Sequence, residues 1–117
     1  MTTASIDELL KNGNDAFAQG NYHQALNQYL KIIDIDPANQ VGLAKVATAY
    51  YKLRDYPKAV AALNKALEGD PKNRDLLVML GMVYVRTNDK TNALAVYDRL
   101  KKVHPDKAEL LYKEIYK

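Results

Sequence analysis

Apolar residues recur along this chain three and four positions apart, in runs separated by short polar turns, which is the spacing of amphipathic helices. In the middle of the chain Leu43, Val46, Ala47 and Tyr50 form one such face. Ala59, Leu63, Ala66 and Leu67 form a second after a turn at Asp55. The flanking segments repeat this spacing with different letters. An acidic residue or histidine followed by proline recurs as Asp36-Pro37, Asp70-Pro71 and His104-Pro105, a step of 34 residues each time. The same step relates Ala25, Ala59 and Ala93, and likewise Gly13, Ala47 and Gly81. It also relates Leu9, Leu43 and Leu77, the bulky Tyr29, Leu63 and Tyr97, and the turn pairs Gly20-Asn21, Arg54-Asp55 and Asn88-Asp89. A fixed period of this size marks stacked repeats. Small residues let the two helices of a repeat approach closely, and a tyrosine or leucine one turn away fills the space left over.

The boundaries follow from local signals. Ser5, with Glu8 three residues on, reads as a capping box, so the first helix runs from there to about Ala18. Gly20-Asn21 stops it. A second helix from Tyr22 buries Ala25, Leu26, Tyr29, Ile32 and Ile33 before Asp36-Pro37 ends it. The next helices occupy roughly Gln40 to Leu53 and Tyr56 to Glu68, with Gly69 suited to a left-handed helix end. The third pair runs about Arg74 to Arg86 and Lys90 to Val103. After Pro105 the repeat does not restart. Asp106 and Glu109 form another cap-like pair, and Ala108, Leu111, Tyr112 and Ile115 make one apolar face opposite Lys107, Glu109, Lys113, Glu114 and Lys117. A terminal helix with one polar face closes the bare end of a stack.

This pattern resembles the tetratricopeptide repeat family, whose unit is a 34-residue helix-turn-helix with small residues at the helix crossing and a proline closing the second helix. The small-residue series, Tyr50 and Tyr84 near the ends of first helices, Tyr22 and Tyr56 opening second helices, and the three prolines sit where that pattern wants them. The resemblance covers residues 6–107. Departures are Ala16 in place of a tyrosine with Phe17 beside it, Lys90 in place of the turn tyrosine, and Asn12 at an apolar position. The fold implied is an all-α right-handed helical-repeat solenoid, one domain over 1–117, with repeats of about 6–39, 40–73 and 74–107 and a capping helix of about 106–117.

Composition narrows the functional classes. The chain's 117 residues, 48% of them hydrophobic, suffice for one core. The 17 basic and 14 acidic residues are interspersed, giving a formal charge of +3 without a basic run of the kind that wraps nucleic acid. Lys101-Lys102, the longest basic cluster, reads as a solvated helix end. There is no cysteine, hence no disulfide, thiolate nucleophile or cysteine-ligated metal. Met1 to Ala4 carries neither a basic leader nor an apolar run, and no apolar stretch reaches the roughly 18 residues a membrane span needs. A chain acting in the cytoplasm, without membrane insertion, is expected. Ser5 is the only serine, and His23 and His104 lie far apart at different repeat phases. Asp34 and Asp36 lack a third ligand, and the glycines are isolated. No enzyme, cofactor or metal is expected.

Function then falls to a surface. The resemblance implies that first helices line a concave groove, and the stripe beside each core stripe is Asp7, Leu10, Asn14 and Phe17 in the first repeat. In the second it is Val41, Ala44, Thr48 and Tyr51, and in the third Asp75, Val78, Met82 and Val85. Most of these are apolar, as at binding surfaces. Lys11, Lys45, Lys52 and Arg86 at the rim are candidates for carboxylates flanking an apolar ligand segment. The best-known groove of this family clamps the C-terminal carboxylates of heat-shock chaperones. The corresponding positions here are Leu10, Asn14, Lys45, Asp75 and Met79, of which only Asn14 matches. The expectation is therefore a protein-interaction module that holds a partner peptide or helix in an apolar groove and is not a chaperone-tail clamp. The alternative is a self-associating scaffold, a homo-oligomer built through the groove or the stack ends. No nucleic-acid partner is expected.

Overall fold

The computed structural model describes residues 5–117, so the lead from Met1 to Ala4 lies outside the described residues. Among these it has seven helices: α1 (Ile6–Ala18), α2 (Tyr22–Ile35), α3 (Gln40–Lys52), α4 (Tyr56–Gly69), α5 (Arg74–Arg86), α6 (Lys90–Val103) and α7 (Pro105–Ile115). The protein is all-α, three helix-turn-helix repeats followed by a capping helix. Contacts divide it into two compact units, one up to Ala66 and one of Leu67–Lys117, with the division inside α4.

Two kinds of turn punctuate the chain, and each is set by side-chain chemistry at a fixed phase. Within a repeat, the first helix ends on a left-handed residue: Gly20 at φ 79°, Arg54 at 62° and Asn88 at 60°. The next amide reaches back five residues, from Asn21 to the Ala16 carbonyl at 2.9 Å, Asp55 to Tyr50 at 2.9 Å and Asp89 to Tyr84 at 2.8 Å. The left-handed residue's own amide bonds three back, to Phe17, Tyr51 and Val85. Together these are the paired bonds that satisfy the orphan carbonyls of a helix end.

Between repeats the chain turns through Asp36 to Asn39 and Asp70 to Asn73. Each asparagine amide bonds the aspartate carbonyl, and each Nδ2 donates to that aspartate's carboxylate, at 3.3 and 2.9 Å. The asparagine Oδ1 then caps the next helix, accepting from Gly42 at 2.8 Å and Leu76 at 3.0 Å. This closed turn needs no left-handed residue. Gly69, expected to supply one, is simply the last residue of α4, and Gly20 is the glycine with positive φ.

At the third such junction His104 stands where the aspartates do and Lys107 where the asparagines do. Pro105 accordingly opens α7 at once, its fixed φ already helical. Asp106 lies inside the first turn, so the expected cap-like pair of Asp106 and Glu109 does not form, and no side chain caps this helix. At α1, by contrast, Ser5 Oγ accepts from the Glu8 amide at 3.1 Å as expected.

In the first unit a core forms from Leu9, Ala25, Leu26, Tyr29, Ile32, Val46 and Ala49. Glycine makes two of its approaches possible. A Cβ on Gly13 would stand 2.8 Å from Tyr29 Cδ1, and one on Gly42 would stand 2.8 Å from Ile32 Cγ2. In the second unit Leu77, Leu80, Val83, Val96, Leu100, Ala108 and Leu111 are buried, and Leu111 fills the space that Gly81 leaves open, 2.6 Å from where its Cβ would stand. Thus α7 packs on both α5 and α6. Tyr112, expected on its buried face, is 41% exposed and stacks instead on Tyr97 at 5.2 Å and Tyr116 at 4.8 Å. Ile115 is half-buried.

Candidate functional site

The side chains expected on the binding stripe are only partly free. On α1, Leu10 and Phe17 are half-buried and pack against the core of their unit, because the stripe is adjacent to the buried face on a helix whose residues advance by about 100°. Phe17 sets its ring edge-on to Tyr22 at 5.0 Å. One repeat later, Tyr51 does the same with Tyr56 at 5.7 Å. On α3, Val41 is 52% exposed, whereas Ala44, Lys45 and Thr48 are half-buried and Lys52 is exposed. The Thr48 hydroxyl donates to the Ala44 carbonyl at 2.8 Å. On α5 of the second unit, Val78, Met82 and Val85 are half-buried, and Arg86 is exposed.

Polar chemistry concentrates at Asn14. The Tyr29 hydroxyl donates to its Oδ1 at 2.6 Å, from a phenol ring that is 1% exposed. Burial pushes the Tyr29 phenol above its ordinary value of 10.0. Cations are present on the same helices: Lys11, paired with Asp15 at 3.0 Å, Lys45 and Lys52. In the second unit exposed Asp75 is met by Arg74 Nε at 3.3 Å. Pairing of charges at Asp75, and the partial burial of Leu10 and Met79, were invisible to a comparison of residue types at five positions.

Elsewhere, a cavity of about 190 Å³ in the second unit lies among Tyr84, Asn88, Lys90, Glu114 and Lys117. His104, which stands before Pro105 where the aspartates stand before the other two prolines, ends α6, and its Nε2 lies 3.1 Å from the Lys72 carbonyl. Asp36, half-buried, holds Asn39 in the turn described above. Among the described residues, no group of three or more histidine, cysteine or acidic side chains is placed to hold a metal ion, and no helix is long and apolar enough to cross a membrane.

Comparison with known proteins adds what geometry alone does not. Small glutamine-rich tetratricopeptide repeat-containing protein 2 of Saccharomyces cerevisiae is 36% identical over 59 residues, 50% of this chain and 17% of that protein. RNA polymerase II-associated protein 3 of Homo sapiens is 38% identical over 56 residues, 48% of this chain and 8% of that protein. The chain thus spans under a fifth of the length of these relatives. Among solved structures, the first repeat domain of Spaghetti (RPAP3) bound to the HSP90 peptide SRMEEVD is 27% identical, with a TM-score of 0.82 over 93% of this chain and 89% of that one. The Sgt2 domain from Aspergillus fumigatus is 26% identical, with a TM-score of 0.81 over 97% and 76%.

These likenesses correct the functional expectation. An apolar-groove module that excludes chaperone tails, with self-association as its alternative, does not stand, since a domain of this fold and 27% identity is bound to such a tail. The exclusion rested on Leu10 and Met79 being unable to pair with a carboxylate and on Asp75 repelling one; in the structure Leu10 packs against the core of its unit, Met79 is half-buried, and exposed Asp75 has Arg74 beside it. The chain is a helical-repeat domain of a protein-binding kind. With residues 46–113 matched by the family model for the tetratricopeptide repeat, it belongs to the tetratricopeptide repeat family.

Proposed function

We propose that this chain binds the acidic C-terminal tail of a chaperone of the HSP90 or HSP70 kind. The observation that carries the proposal is the 27% identity, over nearly the whole chain, to a domain bound to the peptide SRMEEVD. The physical chemistry is compatible. Such a peptide presents two glutamates, an aspartate and a terminal carboxylate within a few residues. In the first unit Asn14 offers amide donors, and Lys45 and Lys52 offer cations on α3. Val41 and the half-buried Leu10, Phe17, Ala44, Thr48 and Tyr51 supply apolar surface for the valine and methionine of the peptide. Val78, Met82, Val85 and Arg86 are proposed contact positions of the second unit in their own right. A cytoplasmic setting is part of the proposal.

Calorimetric titration of the chain with SRMEEVD tests it, alongside a peptide in which both glutamates and the aspartate are amides. Saturable binding to the acidic peptide, weakening with added salt and lost with the amide version, is the expected result. Equal binding of both peptides, or of neither, would overturn the proposal.

A further inference from the structure

We infer that Tyr29 is a positioning residue for ligand recognition, fixing the Asn14 amide so that its Nδ2 hydrogens are presented outward to a carboxylate of the tail; this rests on the tail-binding reading above. Because residue 13 has no side chain, the Tyr29 ring approaches α1 to within 2.8 Å of where a Cβ would stand, closer than any other residue type permits. That approach brings the phenol to Asn14, the neighbour of Gly13. The buried hydroxyl must give its proton to an acceptor, and it gives it to Asn14 Oδ1 at 2.6 Å. With the carbonyl end of the amide so engaged, the amide's two donors are at its other end, and Asn14 itself is half-buried, neither solvated freely nor enclosed.

No other repeat is built this way. At the equivalent positions the second repeat has Ala47, Thr48 and Leu63, where no phenol exists, and Thr48 bonds its own helix. The third has Gly81, Met82 and Tyr97, but Leu111 occupies the space beside Gly81 and Tyr97 stacks on Tyr112. One repeat in three therefore carries a polar donor of fixed orientation, which a purely structural bond at the helix crossing would not require. A pre-oriented donor binds a carboxylate without first losing rotational freedom, and that saving is the contribution assigned to Tyr29.

The test is a double-mutant cycle read by titration with SRMEEVD. Tyr29→Phe should weaken binding roughly two- to tenfold, the loss expected when one side chain must be immobilised on binding. Asn14→Ala should weaken it at least as much, and adding Tyr29→Phe to Asn14→Ala should change it no further. A Tyr29→Phe effect that is absent, or as large in the Asn14→Ala background as in the wild type, would overturn the inference while leaving tail binding intact. If Tyr29→Phe fails to fold, Asn14→Asp serves instead, because it still accepts from the phenol but has no N–H to offer. Loss of binding is then expected, and unchanged binding sinks the idea. If the wild type itself does not bind SRMEEVD, the tail-binding reading falls and takes the inference with it.

Discussion

Gly20, Arg54 and Asn88 share a left-handed backbone, yet only the first has no Cβ to clash with its own carbonyl. A Cβ on Gly20 would meet nothing within 4 Å, so the cost of Gly20→Ala is conformational alone, about 1 kcal/mol. Gly20→Asn should cost less, since Asn88 occupies the same position two repeats later, and urea melts of the two variants side by side check the order. The Tyr29 phenol gives a second residue-scale test. Its folded-state pKa is raised, so the stability it contributes is whole below about pH 10, where the unfolded phenol is still protonated, and is lost as pH climbs through the higher folded value. Tyr29→Phe should be about 1 kcal/mol less stable at pH 7, having lost the bond to Asn14, but should lose stability less steeply than wild type from about pH 9 to about pH 11. Parallel slopes for the two proteins would contradict the burial argument. At this scale the sequence could be read only in part. The phase of positions 20, 54 and 88 was plain, but that Asn39 and Asn73 cap helices was not, because an asparagine two residues past a proline signals a turn without saying which amide it serves.

Helix boundaries were legible to within a residue or so because stop signals recur at a fixed phase, so that three weak local signals support one another. Apart from Gly69 at the end of α4, the misreadings were at α7, where no further copy of the pattern existed to check against. Lacking the asparagine that caps α3 and α5, α7 starts on Pro105; Ala108 and Leu111 are its buried anchors, and Tyr112, about 100° round the helix from Leu111, is left partly in solvent. Leu111 reaches into the gap at Gly81, so Leu111→Ala should cost about 2–5 kcal/mol, more than a surface leucine such as Leu110, which is 54% exposed. Deleting 106–117 should go further and expose the apolar faces of α5 and α6, seen as loss of helicity or aggregation by circular dichroism and light scattering. In the first unit, Ala59 is fully buried on α4, and Ala59→Leu should overpack it at a cost of about 1–3 kcal/mol. A neutral melt would place the crossing of that helix pair elsewhere.

Over the whole molecule, the fold was the most legible feature and the partner the least, for a physical reason. Core residues obey a period that one sequence displays three times, whereas ligand contacts depend on which side chains are already engaged: Asp75 with Arg74, Lys11 with Asp15, Asn14 with Tyr29. Residue types at five positions say nothing of these pairings. Charge at the same scale does yield a prediction. Residues 1–89 hold ten acidic and ten basic residues, so the entire excess of +3 resides on residues 90–117, at Lys90, Arg99, Lys101, Lys102, Lys107, Lys113 and Lys117 against four acids. A tail carrying several carboxylates is attracted by that excess before any contact forms, and such long-range attraction acts on the encounter rather than on the bound state. The triple change Lys102→Gln, Lys107→Gln, Lys113→Gln removes the excess without touching α1 or α3. It should slow association with SRMEEVD by about twofold in low salt, leave dissociation unchanged, and make no difference once salt is raised enough to screen surface charge. Stopped-flow fluorescence with a labelled peptide measures both rates, and a change confined to dissociation would mean that these lysines contact the tail directly.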